Sequence, residues 1–420
     1  MPAASDTVHT VTAWWEDEAA MQRFVADLVA AELAAMRLTG PALPPQPWPA
    51  AMHIGRDLGA DSLELMSLAS ALAEALQMHE SGIEDYLLVR QTLGEWTHIA
   101  RTSLSRFSAR LTFRTSGSTG VAKSCVHTLD ALSREVQEIA PLLQGTRRIF
   151  SAVPAHHIYG FLFTMLLPAA LGLAAGDVID LRAGSAARLA QDLRDGDLVI
   201  GHPEFWRAAA RAVPVFPAGV TGLSSTAPCP DELSVALGQA GLGTLLQIYG
   251  SSETAGVGWR SSHDQPYQLF SSWQRAGDDG AALGRTSSDG VTVHPCQDTL
   301  TWFDARRFLP TGRVDQAVQV GGINVFPARV RRELLLHPDV LDASVRLMRA
   351  DEGNRLKAFI VPRNVDAEAD PARLHAALET WVSARLTAPE RPKAFSFGTA
   401  LPSDGKGKAA DWALPVRAMS

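Results

Sequence analysis

The sequence predicts three parts: an all-α helical bundle over residues 1–105, an α/β large domain over 106–312 and a small α+β domain over 313–420. Three observations support that division. A chain of 420 residues exceeds what one simple core accommodates. Short apolar runs alternate with helical stretches through the middle of the chain, the pattern of sheets covered by helices. The hundred residues before that zone read as helical, and the hundred after it mix the two periods.

Taken in order, a first helix spans Met21–Met36, and a proline-rich break, "GPALPPQPWP", ends it. "GADSL" then opens a second helix, in which Leu63, Met66, Leu68, Leu72, Ala73 and Leu76 recur near helical spacing as its core face. From Arg106, "ARLTF", "RRIFSAVP", "GDLVIGH", "GVTGLSS" and "TLLQIYG" read as strands, with helices such as "ALSREVQEIAPLL" between them. After Gly312, "AVQVGG", "NVFPARVRRELLLHP", "LDASVRLMRA", "LKAFIVP" and "LHAALETWVSARL" make the small α+β domain.

The composition, 46% hydrophobic and 20% charged, is that of a soluble globular protein, and a net charge of -7 argues against general nucleic-acid binding. Cys125, Cys229 and Cys296 are too few and too dispersed for a disulfide framework or a zinc pattern, which fits a cytoplasmic protein. The N-terminus lacks the blocks of a signal peptide. The longest apolar run, Phe161 to Gly176, is too short to span a bilayer and carries a proline, so it reads as a buried helix.

The sharpest motif is "FRTSGSTGVAKS", Phe113 to Ser124. Gly117 and Gly120 permit a backbone that brings amides close to an anion, Thr115, Ser116, Ser118 and Thr119 add hydroxyl donors, and Lys123 adds a point charge. Read alone, the stretch is also compatible with a polar surface turn. It closely resembles the phosphate-loop signature of the adenylate-forming superfamily, which includes acyl-CoA synthetases, aryl acid ligases and nonribosomal adenylation domains. Ala122 stands where that superfamily usually has proline.

Further motifs follow in the superfamily's order. "PAHHIYGF" resembles the next one, which implies a place for His157 beside a carboxylate pocket, and "GLSSTAPC" resembles the turn approaching adenine and acyl group. "IYGSSETAG" implies that Tyr249 stacks on adenine, Ser252 contacts the α-phosphate and Glu253 holds Mg2+. Asp298 lies at the distance before Gly312 expected of a ribose-binding aspartate, with Asp304 as a nearer alternative. "TGRVDQAVQVGGINVFP" resembles the interdomain junction, so Arg313 would face phosphates and ribose and Asp315 would be the hinge. "LPSDGKGKAADWALP" resembles the loop whose lysine bridges acyl carboxylate and ATP, placing it at Lys408, with Lys406 as competitor.

The resemblance covers Arg106 to Ser420 and implies a truncated adenylation core over 106–312 and a mobile C-terminal lid over 313–420. Three positions depart from its pattern: Gln319 replaces a lysine, Arg329 a glutamate, and Asp411 the arginine after the final Gly-Lys. The first 105 residues resemble an acyl carrier protein, being helical and acidic, with Ser62 at the helix start as a candidate phosphopantetheine attachment site. A standard helix cap, in an architectural segment, is the competing reading of "GADSL".

The implied reaction is ATP-dependent activation of a small carboxylic acid through an acyl adenylate, then transfer to a phosphopantetheine thiol of an acyl carrier protein. The compact form looks most like ligases of aryl polyene or xanthomonadin-type pigment pathways, which would take a hydroxybenzoate-like acid. That reading implies a phosphopantetheinyl transferase as a partner. A ligase using free CoA, and a non-catalytic nucleotide-binding scaffold, are the alternatives.

Overall fold

The computed structural model describes the chain except for residues 1–12, 38–41, 116–122, 183, 185, 278–279, 288–289, 315–316, 322, 350–351, 364–370, 403–409 and 415–420. It divides into two compact units, with the main break in the chain between Thr311 and Gly312 and short segments that include Ala34 and Lys123 grouping with the second.

The first unit is organised on a nine-stranded sheet. Its parallel half contains β3 (Arg148–Ser151), β4 (Val178–Asp180), β5 (Asp197–Gly201), β6 (Thr221–Ser224) and β7 (Thr244–Ser251). β8 (Ala255–Arg260), β9 (Tyr267–Leu269), β13 (Asp298–Trp302) and β14 (Arg307–Arg313) extend it, in the order 13-14-9-8-7-6-5-3-4. Two smaller sheets join this unit: the hairpin β1 (Arg110–Thr115) and β2 (Lys123–Thr128), and β10 (Trp273–Ala276), β11 (Ala282–Ser287) and β12 (Gly290–Pro295).

Period-2 alternation explains how both faces of the large sheet are covered. Ile149, Leu198, Ile200, Leu223, Leu246 and Ile248 turn to one core. Phe150, Val199 and Leu245, their neighbours in the chain, turn to the other, where Trp206 and Leu237 from flanking helices meet them. The apolar run predicted as a buried helix is one: residues 158–170 are helical, with a π turn at Leu162–Leu166, and Phe161 and Phe163 are fully buried.

The N-terminal helices do not stand apart as a bundle. α1 (Glu18–Met36), α2 (Ser62–Ala75) and α3 (Leu93–Arg106) share the first of these cores with the sheet: Met21, Phe24, Leu28, Leu65, Leu68, Leu72, Trp96 and Leu104 belong to it. Each such leucine contributes about 1.5–3 kcal/mol by leaving water, far more than the surface ion pairs alongside. Those pairs add direction: Arg114 on β1 bonds Glu32 of α1 at 3.3 Å and also Glu74 of α2. The expected core face of α2 needs correction. Leu68, Leu72 and Leu76 are buried as expected and Ala73 packs against the same core, but Leu63 is 68% and Met66 48% exposed, and Leu65 completes the buried stripe in their place.

The second unit holds an antiparallel pair, β15 (Val318–Val320) and β16 (Ile323–Val325), and a three-stranded sheet of β17 (Val340–Leu347), β18 (Leu356–Pro362) and β19 (Ala394–Phe397), with β17–β18 antiparallel and β18–β19 parallel. Helices at Pro327–Leu335 and Pro371–Arg385 bring Val330, Leu334, Leu374 and Leu378 onto its core. Among the described residues no helix is long and apolar enough to cross a membrane.

Candidate active site

In an open sheet with parallel strands, ligands bind in the crevice beyond the strands' carboxyl ends. Here those ends carry the residues singled out by sequence. His157 follows β3, the turn Ser224–Thr226 closes β6, and Tyr249, Ser252 and Glu253 lie at and just beyond the end of β7. The tyrosine Tyr159 ties two of these ends together, its hydroxyl donating to the carbonyls of Gly201 (3.0 Å) and Leu223 (3.1 Å). Gly160 is needed for the close approach: a Cβ there would lie 1.9 Å from the carbonyl oxygen of Pro154.

His157 keeps an exposed edge, packs tilted at 4.2 Å against His156, and has its imidazole pushed down to about 4 by burial of the rest of the ring, with the Arg182 charge adding to the effect. It is therefore neutral at physiological pH. His156 has its Nδ1 buried without a hydrogen-bond partner among the described residues. After β6, Thr226 adopts a φ of 75°, and its hydroxyl, like that of Ser224, is buried with no hydrogen-bond partner among the described residues. Strained backbone and unsatisfied donors beside a crevice are features of sites that await a ligand. Sequence reading passed over Ser224, Thr226 and His156, although the turn itself was marked.

Tyr249 and Asp298, 49 residues apart, meet at 2.7 Å between the phenol hydroxyl and a carboxylate oxygen. Tyr249 is half-buried, edge-on to Phe308 at 5.2 Å. The alternative acid is occupied elsewhere: Asp304 accepts from the backbone N–H groups of Arg306 and Arg307 and pairs with the Arg307 guanidinium, so it shapes the turn before β14. Ser252 and Glu253 are half-buried in the turn between β7 and β8, which is braced from within by the Ser251 and Thr254 hydroxyls, 3.1 Å apart. The Ser252 carbonyl accepts from His127 Nε2 at 2.7 Å, and burial pushes that histidine down to about 4.

No group of three or more His, Cys, Asp or Glu side chains that could cage a metal occurs among the described residues. Mg2+ does not need such a cage, since it usually takes one or two carboxylates and fills its sphere with water and substrate phosphates, so a lone carboxylate beyond β7 would suffice. Glu253 is such a carboxylate.

Thr115 ends β1 and Lys123, exposed, begins β2. Ser116, Gly117, Ser118, Thr119 and Gly120 between them lie outside the described residues, as do Asp315, Lys406 and Lys408. Arg313 is the last residue of β14. Ser62 is exposed at the first position of α2, but Asp61 is the cap, accepting from the N–H groups of Leu63 (2.9 Å) and Glu64 (2.8 Å).

Each departure in the second unit finds a partner. Arg329 pairs with Glu390, and the Gln319 side-chain amide donates to Asn324. Asp411 takes one side of the fully buried Lys357 at 2.9 Å, which also bonds Glu352 at 2.9 Å and the Trp412 carbonyl at 2.6 Å. Asp411, where the resemblance led us to expect an arginine, is thus an ion-pair partner of a lysine on β18.

The family model of AMP-binding enzymes matches residues 97–279, and that of their C-terminal domain matches 332–408. A 4-coumarate–CoA ligase from Halorhodospira halophila is 40% identical over 351 residues, 83% of this chain and 87% of the relative. The chain belongs to the AMP-binding enzyme family. It is an AMP-forming acid–thiol ligase. Within this family, a 4-coumarate–CoA ligase from Cereibacter sphaeroides is 41% identical over 84% of each chain. The match to these AMP-binding relatives thus runs along most of both chains. A similarity to carrier-protein ligases of pigment pathways gives way to one with CoA ligases. The o-succinylbenzoate CoA synthetase of Bacillus subtilis, 17% identical, superposes with a TM-score of 0.58 over 78% of this chain and 73% of that one, which supports the fold.

Proposed function

We propose that this enzyme joins a 4-coumarate-like aryl acid to the thiol of coenzyme A in the cytoplasm, at the expense of ATP. What supports the reading most is the similarity to 4-coumarate–CoA ligases along most of both chains, together with strand ends that carry His157, Tyr249, Ser252 and Glu253. The substrate carboxylate attacks the α-phosphorus of ATP, the bond to the β-phosphate oxygen breaks, and pyrophosphate leaves with its electron pair. The acyl adenylate is then attacked at its carbonyl by the CoA thiolate, and AMP departs.

In this reading Tyr249 packs on adenine while Asp298 takes the ribose hydroxyls and Arg313 the ribose and phosphates. Ser252 donates to the α-phosphate, and Lys123 with Thr115, Ser116, Gly117, Ser118, Thr119 and Gly120 receives the outer phosphates. Lys408 bridges carboxylate and α-phosphate, and Asp315 serves as the hinge. Glu253 would hold Mg2+, which neutralises phosphate charge when bound. Neutral His157 borders the acid without adding a positive charge that could trap the carboxylate in its ground state. No general base is needed for the first step because the acid is already ionised.

The N-terminal helices act here as one wall of the large core, and Ser62 as an exposed helix-start residue. Acid-dependent pyrophosphate exchange with 4-coumarate, 4-hydroxybenzoate and octanoate tests the substrate class. The coumarate should exchange fastest, and activity confined to octanoate would defeat the proposal. ATP binding without exchange for any acid would instead favour a non-catalytic scaffold. Intact mass after treatment with CoA and a phosphopantetheinyl transferase should show no gain; a gain lost in Ser62→Ala would restore the carrier reading.

A further inference from the structure

The turn that carries His157 is held on both sides by bonds to distant parts of the chain. On one side the Tyr159 hydroxyl donates to the Gly201 and Leu223 carbonyls of β5 and β6. On the other, the N–H of Ala155, two residues before His157, donates to Asp27 Oδ2 at 2.7 Å. Asp27 lies on α1 among the buried Phe24, Val25 and Leu28, and its own side chain is fully buried. Its second oxygen, Oδ1, accepts from the Arg182 guanidinium at 2.6 Å. Arg182 follows β4, and it also pairs with Asp180 and reaches Gln46 Oε1 at 3.4 Å. One carboxylate thus joins α1 to the turns that follow two paired strands, β3 and β4.

A buried carboxylate is costly unless it is both paired and hydrogen-bonded, and Asp27 is both. Burial raises its carboxyl, while the Arg182 charge and the Ala155 N–H oppose the rise. An ionised carboxylate only accepts, and its two oxygens meet two donors from different elements. An amide of the same shape has one acceptor oxygen, so it serves one donor and turns its NH2 on the other. The apolar core and the Arg182 pair already fasten α1. What the second oxygen adds is a fixed backbone position just before His157.

We propose that Asp27 is a positioning residue for the acid substrate: through the Ala155 N–H it sets the place of His157, so a helix outside the sheet takes part in the acid site. The inference rests on the reading of His157 as a residue that borders the acid.

The test measures pyrophosphate exchange by the full chain at pH 8, with 4-coumarate and ATP each varied. Two double variants, Asp27→Asn/Arg182→Met and Asp27→Leu/Arg182→Met, both remove the buried ion pair, a replacement that folds often tolerate. Only the first leaves an acceptor for the Ala155 N–H. It should keep the KM for 4-coumarate within about threefold of the parent, and the leucine double should raise it about tenfold, the scale of one buried N–H left unmet. Neither should move the KM for ATP by more than about threefold. A merely structural role would shift both doubles alike, or raise both KM values together, and either result overturns the proposal. Where the leucine double does not fold, Asp27→Asn alone decides. The guanidinium, the stronger donor, takes its single oxygen, so the KM for 4-coumarate should rise and fall back when Arg182→Met is added. A double no better than that single variant overturns the proposal. His157→Ala should itself raise the KM for 4-coumarate. No change there would refute the reading of His157, a failure distinct from a leucine double that leaves this KM unmoved while His157→Ala raises it.

Discussion

Removing one hydroxyl, in Tyr249→Phe, tests how the nucleotide is held. The ring keeps its packing against Phe308 and Tyr267, and the 2.7 Å bond to Asp298 is lost. A hydrogen bond to a charged acceptor contributes about 1.5–3 kcal/mol, and half-exposure of both partners favours the lower end. About 1.5 kcal/mol corresponds to roughly tenfold in affinity. The bond orients Asp298 equally in ground state and transition state, so the loss should fall on KM for ATP and leave kcat within about twofold. The assay is the ATP dependence of acid-driven pyrophosphate exchange. Because the tyrosine hydroxyl acts through Asp298, Tyr249→Phe should add little to Asp298→Ala, a non-additivity that a double-mutant cycle reads. A KM for ATP unchanged in Tyr249→Phe, or raised as much by Asp304→Ala as by Asp298→Ala, would refute the reasoning.

Other expectations follow from the same geometry. Gly160→Ala forces a methyl into the Pro154 backbone and should lower the melting temperature by about 5 °C or more, while a melting curve superposing on the parent's would contradict the contact. Lys408→Ala should slow adenylate formation by about 10²–10³ and spare thioester formation from isolated acyl adenylate; equal losses in both steps would count against its placement between acid and ATP. The two buried groups behind the metal turn should give opposite pH signatures. Glu135, ordinarily near 4.5 and pushed to about 7 by burial against Arg285, with Glu138 adding to the rise, keeps its proton in the folded chain after the unfolded chain has lost it. Its contribution to stability therefore falls as pH rises through that window, by roughly 3 kcal/mol. His127, ordinarily near 6.5 and pushed to about 4, chiefly by burial, makes the unfolded chain bind the proton first, so stability falls by a similar amount as pH drops through that window. The effects largely cancel in the parent chain. Urea midpoints should show Glu135→Gln losing ground to the parent as pH falls from 7 to 4.5, and His127→Gln gaining it; parallel curves would disprove both assignments.

Much of the site was legible because it is written in short contiguous motifs at the ends of strands. Tyr249, Ser252 and Glu253 fall within one stretch, and the choice of Asp298 over Asp304 rested on spacing before Gly312, where the structure sets Asp298 against Tyr249. The layer behind the site was less visible, because its contacts join residues far apart: Glu135 meets Gly256 across 121 positions. A local signal did exist, since Glu135 interrupts the apolar stripe of Leu132, Val136 and Ile139 on its helix. The N-terminal helices were harder to place. An amphipathic helix has the same pattern whether it packs on sister helices or on a sheet, and only the tertiary core tells the two apart. The phase error at Leu63 and Met66 has a similar origin: in "SLELMSLASALAEAL" apolar residues are dense enough to draw two stripes.

The most direct test is product analysis by mass spectrometry after incubation with ATP, Mg2+, 4-coumarate and CoA. One AMP and one pyrophosphate for each coumaroyl thioester of CoA formed is the predicted result. ADP and phosphate as the nucleotide products, or a thioester that forms on a holo carrier protein but not on CoA, would contradict it.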